Sequence, residues 1–126
     1  MGERVVKLFW QYINNADFDG LDNVMTNDAM VWLPNTKEVF KGKSKYIEFN
    51  KRYPDRWYVD LEKLYSSGET IISVAKIFNK ERSMSFYVTS FFKLKDDLIE
   101  EITEYWGENG EPPKWRIDEK LSERYK

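Results

Sequence analysis

Three short polar turns divide the second half of this sequence into long runs of β-forming residues. The turns are predicted at residues 66–69, 79–82 and 95–97, where glycine or charged residues interrupt alternating or β-branched apolar segments. Strands joined by such short turns pair in an antiparallel fashion. Residues 56–106 are therefore predicted to form a four-stranded antiparallel meander, and the rest of the fold has to pack against this sheet.

The first half of the chain has the periodicity of helices. Residues 4–14 carry apolar side chains at spacings of three and four, which predicts an amphipathic helix. A short helix is predicted within residues 17–28, a short strand over 29–33, and a further helix that ends before Pro54. Helices first and strands later predict a single α+β domain over residues 1–126, with helices on one face of a curved sheet.

Composition excludes several kinds of chemistry. The sequence has no cysteine and no histidine, which rules out thiolate nucleophiles, cysteine or histidine metal sites and a histidine general base. We expect no cofactor and no metal. The net charge of −2 gives no overall attraction to nucleic acid or to an anionic membrane, and no apolar run approaches a membrane span. The sequence predicts a cytoplasmic protein.

The predicted strands are apolar on both faces. Residues 70–78 place Ile71 on one face and both Ile72 and Val74 on the other, and residues 84–92 show the same pattern. A sheet with one solvated face would show a polar row there. The outer face is therefore predicted to contact a second copy of the chain in a homodimer. The alternative is a monomer whose own C-terminal tail partly covers this face.

Three segments carry a resemblance to a known superfamily: INNADFDGLDNVMTNDAMVWLP, FKGKSKYIEF and EITEYWG. With the order of the elements, they make the chain similar to nuclear transport factor 2-like proteins, in particular small SnoaL-like and ketosteroid-isomerase-like members, over about residues 4–116. The resemblance implies a cystatin-like conical barrel, in which a strongly curved antiparallel sheet wraps around N-terminal helices and encloses a pocket. Many members of the superfamily form dimers through the outer face of the sheet.

The superfamily includes enzymes and non-catalytic binding domains, so the resemblance implies a pocket more firmly than a reaction. Ketosteroid isomerases use a general-base aspartate, a tyrosine that stabilises the oxyanion, and a second, protonated aspartate. The corresponding positions in this sequence hold Leu33, Phe9 and Ser90. Leucine and phenylalanine cannot transfer a proton, so the ketosteroid isomerase mechanism is excluded.

Glu104 remains as the candidate acid or base. In the family, the last strand directs the positions of Ile102, Glu104 and Trp106 into the cone, where burial would raise the pKa of a carboxyl group. Glu104 would then suit proton transfer, with Tyr12 or Ser90 as the oxyanion donor. Three interpretations of Glu104 stay open: a catalytic group, a group that orients a ligand, and a structural group held by polar neighbours.

The resemblance also implies which side chains line the pocket. The predicted lining consists of Phe9, Leu33, Phe49, Trp57, Ser73, Ala75, Phe86, Val88, Ile102 and Trp106. Such a lining favours a small, largely apolar ligand, although each aromatic residue could equally belong to the packed core. The predicted function is therefore binding of a small apolar molecule. The alternatives are a polyketide-cyclase-like or isomerase-like enzyme that uses Glu104, and a non-catalytic dimerisation or interaction module.

Overall fold

The computed structural model describes residues 2–126. Three of the helices lie in the first half of the chain, and the four long strands of the meander follow them. The elements in chain order are α1 (Glu3–Asn14), α2 (Phe18–Asn23), β1 (Met25–Leu33), β2 (Glu38–Lys41), α3 (Lys43–Arg52), β3 (Trp57–Ser67), β4 (Thr70–Asn79), β5 (Ser85–Lys95), β6 (Leu98–Glu108) and α4 (Lys114–Asp118). The predicted α+β class is confirmed. No helix within these described residues is both long and apolar enough to cross a membrane.

The six strands form one sheet in the order β2-β1-β6-β5-β4-β3. The predicted meander corresponds to β3 through β6, in which each strand pairs antiparallel with the next one along the chain. The register shifts between Leu61 and Lys63 on β3 and between Lys93 and Leu94 on β5. Such irregularities bend strands and increase their twist, and they contribute to the curvature of this unclosed sheet.

The strand before the meander differs from the sequence prediction. β1 begins at Met25 instead of Ala29, and it pairs in parallel with β6 as well as antiparallel with β2. The sequence predicts a short helix within residues 17–28, whereas the observed helix α2 ends at Asn23 and residues 25–28 belong to β1. Met25 pairs with Ile99 of β6, and the hydrogen bond from Ile99 N to Val24 O (2.8 Å) lies beside this pair, whereas the register is irregular between Met25 and Met30.

Helix α1 packs its apolar side on the concave face of the sheet. Phe9 is fully buried, and its ring lies edge-on to Phe92 with centroids 5.3 Å apart. Trp10 is also buried, and its indole Nε1 donates a hydrogen bond to Ser73 Oγ on β4 at 3.0 Å. Because a buried polar group without a partner is costly, this bond allows Trp10 to lie in the core.

Two glycines determine how the other helices approach. A Cβ atom on Gly20 of α2 would lie 2.5 Å from the ring of Tyr12, so the close contact between α1 and α2 requires glycine at that position. Gly42 precedes α3 with a φ of +99°, a conformation that residues with side chains rarely adopt. The turn at Gly42 lets α3 follow β2 directly, with Tyr46 and Ile47 facing the core.

The outer face of the sheet carries an uninterrupted row of mainly apolar side chains. The strand registers place Tyr65, Ile72, Phe91, Thr103 and Trp32 side by side across five strands. Tyr65, Phe91 and Trp32 are 59%, 38% and 40% exposed. The two-faced apolar character that the sequence predicts for these strands therefore leaves large aromatic surfaces in contact with solvent in the single chain.

Candidate functional site

A cavity of about 460 Å³ lies between the helices and the concave face of the sheet, within the size range of small-molecule sites. Its wall combines aromatic and aliphatic side chains with a few polar groups. The lining residues are Trp10, Ile13, Ala16, Phe18, Leu33, Thr36, Glu38, Tyr46, Phe49, Asn50, Lys51, Tyr53, Asp55, Arg56, Trp57, Ile77, Phe86, Val88, Glu104, Trp106 and Glu108.

Glu104 lies on the inner side of β6 and is only 6% exposed. The hydroxyl of Tyr46, from α3, lies 3.2 Å from Oε1 and 3.3 Å from Oε2 of Glu104 and donates to the carboxylate. Ser90 stands opposite Glu104 in the pairing of β5 with β6. No basic side chain in the described part of the chain forms a salt bridge with Glu104. The carboxyl group is therefore buried among neutral neighbours.

This environment changes the acidity of both partners. Burial raises the pKa of Glu104 from its ordinary value of 4.5 to about 7, while the Tyr46 hydrogen bond and, secondarily, Ser90 lower it. Ser90 Oγ has no hydrogen-bond partner of regular geometry, so we regard its effect as that of a nearby hydroxyl rather than a formed bond. Burial, followed by the charge of Glu104, raises the pKa of Tyr46 well above 10. Tyr46 therefore stays protonated, and Glu104 can exchange a proton near neutral pH.

Six rings that line the cavity form a connected series, which we call the aromatic belt: Tyr46, Phe49, Tyr53, Trp57, Phe86 and Trp106. The centroids of neighbouring rings are 6.1, 5.4, 6.1, 5.8 and 6.3 Å apart along this series. The belt extends from α3 across the segment before β3 to β5 and β6. It begins and ends beside Glu104, since Tyr46 contacts the carboxylate and Trp106 lies two residues further along the same strand.

The exposed end of the cavity carries charged side chains. They are Glu38, Lys51, Asp55, Arg56 and Glu108, all of them exposed residues. The Arg56 guanidinium donates to the backbone oxygens of Trp57 and Asn14 and lies over the ring of Tyr58, 4.4 Å from its centroid. The cavity is therefore apolar along its walls, acidic at Glu104 and charged at its mouth.

The structure brings together part of the lining that the sequence suggested. Leu33, Phe49, Trp57, Phe86, Val88 and Trp106 line the cavity together with Glu104. Phe9, Ser73, Ala75 and Ile102 do not line it, because each is fully buried in the packed core. Phe9 packs against Phe92, and Ser73 accepts the hydrogen bond of Trp10.

The expected oxyanion donor Tyr12 is also placed elsewhere. Its ring lies against Gly20 of α2, and it does not line the cavity. The hydroxyl beside Glu104 belongs instead to Tyr46, which was not predicted as the oxyanion donor. The signal that could have identified it is spacing, since Tyr46 lies three residues before Phe49 and thus on the same side of α3.

Comparison with known proteins agrees with this architecture. The family model for the SnoaL-like domain matches residues 6–102, and the chain belongs to this family. The match ends at Ile102, so Glu104 and Trp106 lie beyond the matched segment. No curated protein matches the sequence significantly.

Solved structures with the nuclear transport factor 2-like fold resemble the whole chain. A proposed ketosteroid isomerase from Kribbella flavida is 23% identical, with a TM-score of 0.85 over 99% of this chain and 90% of that one. A nuclear transport factor 2-like protein of unknown function from Burkholderia xenovorans is 17% identical, with a TM-score of 0.81 over 99% and 95%. A proposed polyketide cyclase from Sinorhizobium meliloti is 16% identical, with a TM-score of 0.70 over 80% and 93%. At these identities the likeness establishes the fold.

The raised pKa of Glu104 predicts how stability depends on pH. The protonated carboxyl favours the folded state, so its stabilising effect is complete below pH 4.5 and is lost as the pH rises towards about 7. A shift of this size corresponds to a loss of up to about 3 kcal/mol in the free energy of unfolding. Urea unfolding of Glu104→Gln should show less of this pH dependence and greater stability than the wild type at pH 8.

Glu100→Gln is the matched control, because Glu100 lies on the same strand but outside the cavity. This variant should keep the wild-type pH dependence. If Glu104→Gln were strongly destabilised at every pH, the carboxyl group of Glu104 would stabilise the core. That result would contradict the prediction that its burial costs stability above about pH 7.

Proposed function

We propose that this protein binds a small, largely apolar molecule in the cavity between its helices and the sheet. The observation that carries the proposal is the aromatic belt around a cavity of about 460 Å³. Trp57 and Trp106 line this space without filling it. A ligand with an apolar body would remove these aromatic and aliphatic walls from water, which favours binding. A polar atom on the ligand would find its partners at Glu104 and Tyr46.

Filling the cavity should prevent binding. Val88 lines the cavity and Thr89 is the next residue on β5, on the outer face of the sheet. Val88→Trp should weaken binding of the uncharged fluorescent probe N-phenyl-1-naphthylamine about tenfold or more, because the indole occupies the ligand's space. Titration by probe fluorescence measures this effect, and native mass spectrometry would show loss of any co-purifying ligand.

Thr89→Trp provides the control for the added ring, and it should retain the affinity of the wild type. Thermal unfolding of both variants shows whether they are folded. Equal affinity in wild type and folded Val88→Trp would place the binding site outside this cavity.

A second candidate function is catalysis of the polyketide-cyclase or isomerase kind. It is favoured by the pKa of Glu104, which is raised to about 7 and so suits a group that takes up and returns a proton. The protonated Tyr46 hydroxyl lies beside the carboxylate and would donate a hydrogen bond to an oxyanion formed next to the abstracted proton. Ser90 Oγ, buried and without a hydrogen-bond partner, would be a further donor.

Catalysis predicts proton exchange that depends on Glu104. A carbonyl ligand identified by mass spectrometry should exchange the hydrogen next to its carbonyl for deuterium in D2O, as followed by NMR. Glu104→Gln should slow this exchange by about 10²–10⁴-fold, since the amide cannot accept the proton. Glu100→Gln should leave it unchanged. Exchange at the wild-type rate in folded Glu104→Gln would eliminate this candidate and leave binding alone.

We further propose that two copies associate through the outer face of the sheet. The row formed by Tyr65, Ile72, Phe91, Thr103 and Trp32 supports this proposal, because large exposed aromatic surfaces on a small domain are typical of contact surfaces. Phe91 also contacts Tyr105, with ring centroids 6.0 Å apart, which widens the apolar surface. The same surface would serve a protein whose function is interaction alone.

A charge within this surface should separate the copies. Val74 lies on the outer face of β4, opposite Thr89 of β5. Val74→Glu should shift the solution mass from dimer to monomer, because the carboxylate would be buried without a partner. Light scattering after size-exclusion chromatography measures the mass. Met84→Glu, an exposed position between β4 and β5, is the control, and an unchanged mass for Val74→Glu would contradict this interface.

A further inference from the structure

We propose that the ligand of the cavity is an organic ammonium cation with an apolar body, its charged group held between the Glu104 carboxylate and the aromatic belt. The inference rests on the proposed binding function and specifies the chemical class of the ligand. Four features of the cavity support it: the neutral surroundings of Glu104, the angles between the rings, the charges at the mouth, and the volume.

The first feature is a buried carboxylate whose polar neighbours are uncharged. Tyr46 donates to it and Ser90 lies across the strand pair, but neither supplies a positive charge. Buried carboxylates are ordinarily paired with a cation, because burial of an isolated charge is costly. A ligand ammonium group beside Glu104 would provide the counter-charge that the described residues do not provide.

The second feature is the arrangement of the rings in the aromatic belt. The planes of Phe49 and Tyr53 are at 88° to each other, and those of Tyr53 and Trp57 at 85°. The next two pairs, Trp57 with Phe86 and Phe86 with Trp106, are at 61° and 65°. Rings at such angles present their faces in different directions along the cavity wall, and a cation in the cavity would be attracted to the faces that it approaches.

The third feature is the charge distribution at the mouth. Three carboxylates, Glu38, Asp55 and Glu108, line the cavity there together with Lys51 and Arg56. Arg56 is already engaged by backbone oxygens and the Tyr58 ring. These partners are neutral, so Arg56 keeps its charge, and three carboxylates against two basic groups give the mouth a small net negative charge that favours a cation over an anion.

The fourth feature is volume. A cavity of about 460 Å³ is much larger than a trimethylammonium group, which leaves room for an apolar body along Leu33, Ile77 and Val88. Binding of a cation would also favour ionised Glu104 and so release a proton from it, since its pKa is about 7 in the free protein. The affinity for a cation of fixed charge should therefore increase between pH 6 and pH 8.

The test compares benzyltrimethylammonium with neopentylbenzene, its uncharged carbon isostere, by quenching of tryptophan fluorescence. The two probes have nearly the same shape, so a difference in affinity reports the charge. At pH 8 the cation should bind the wild type about tenfold more tightly or better. The advantage should shrink at pH 6, where Glu104 is mostly protonated.

Variants separate the contribution of the carboxylate from that of the rings. Glu104→Gln should weaken the cation about tenfold or more and remove its pH dependence, while the isostere should bind as before. Trp57→Leu should weaken the cation more than the isostere, because leucine keeps apolar contact but lacks a π face. Glu100→Gln should change neither affinity.

Three outcomes would overturn the inference. They are an isostere that binds as tightly as the cation, a cation affinity unaffected by Glu104→Gln, and no binding of the cation. If N-phenyl-1-naphthylamine still binds in the cavity, the proposed binding function stands and only the cationic class of ligand is wrong. If neither cation, isostere nor naphthylamine binds, the proposed binding function fails as well.

Discussion

The structure depends on one energetic conflict: Glu104 is buried in an apolar cavity, and no basic side chain among residues 2–126 pairs with it. Three contributions meet at Glu104: β6 carries it inward, α3 brings the Tyr46 hydroxyl to it, and the surrounding side chains leave it only 6% exposed. The conflict is relieved by a pKa of about 7 and by one hydrogen-bond donor. It thereby gives an otherwise apolar space an ionisable group, on which both the proposed catalysis and the proposed binding of a cation depend.

The fold was largely accessible from the sequence where the determining interactions are local. Alternating apolar residues and short polar turns predicted β3 through β6, and the three- and four-residue spacing of Val5, Phe9 and Tyr12 predicted α1. The start of β1 at Met25 and the short strand β2 escaped prediction. Both depend on pairing with distant segments, which leaves little pattern in the residues themselves.

Fewer of the site residues than of the strands and helices could be predicted from the sequence, because a site depends on how separate elements are oriented. Strand alternation places Glu104 and Trp106 on the same face of β6, and the family resemblance implied that this face points inward. The direction of a helix residue depends on how its helix is rotated against the sheet. Tyr46 turns towards Glu104, whereas Tyr12 lies against Gly20, and the spacing of Tyr46 from Phe49 was the signal that favoured Tyr46.

The position of β6 within the sheet has a consequence for how the site comes into existence. It is the last strand in the chain, yet it lies between β1 and β5 and joins the N-terminal pair of strands to the rest of the meander. The pairing of β1 with β6 joins residues about 70 positions apart. Such non-local contacts form slowly during folding. During synthesis, one edge of β1 therefore stays unpaired until β6 has been made. The cavity forms only when β6, which carries Glu104, takes its place between β1 and β5.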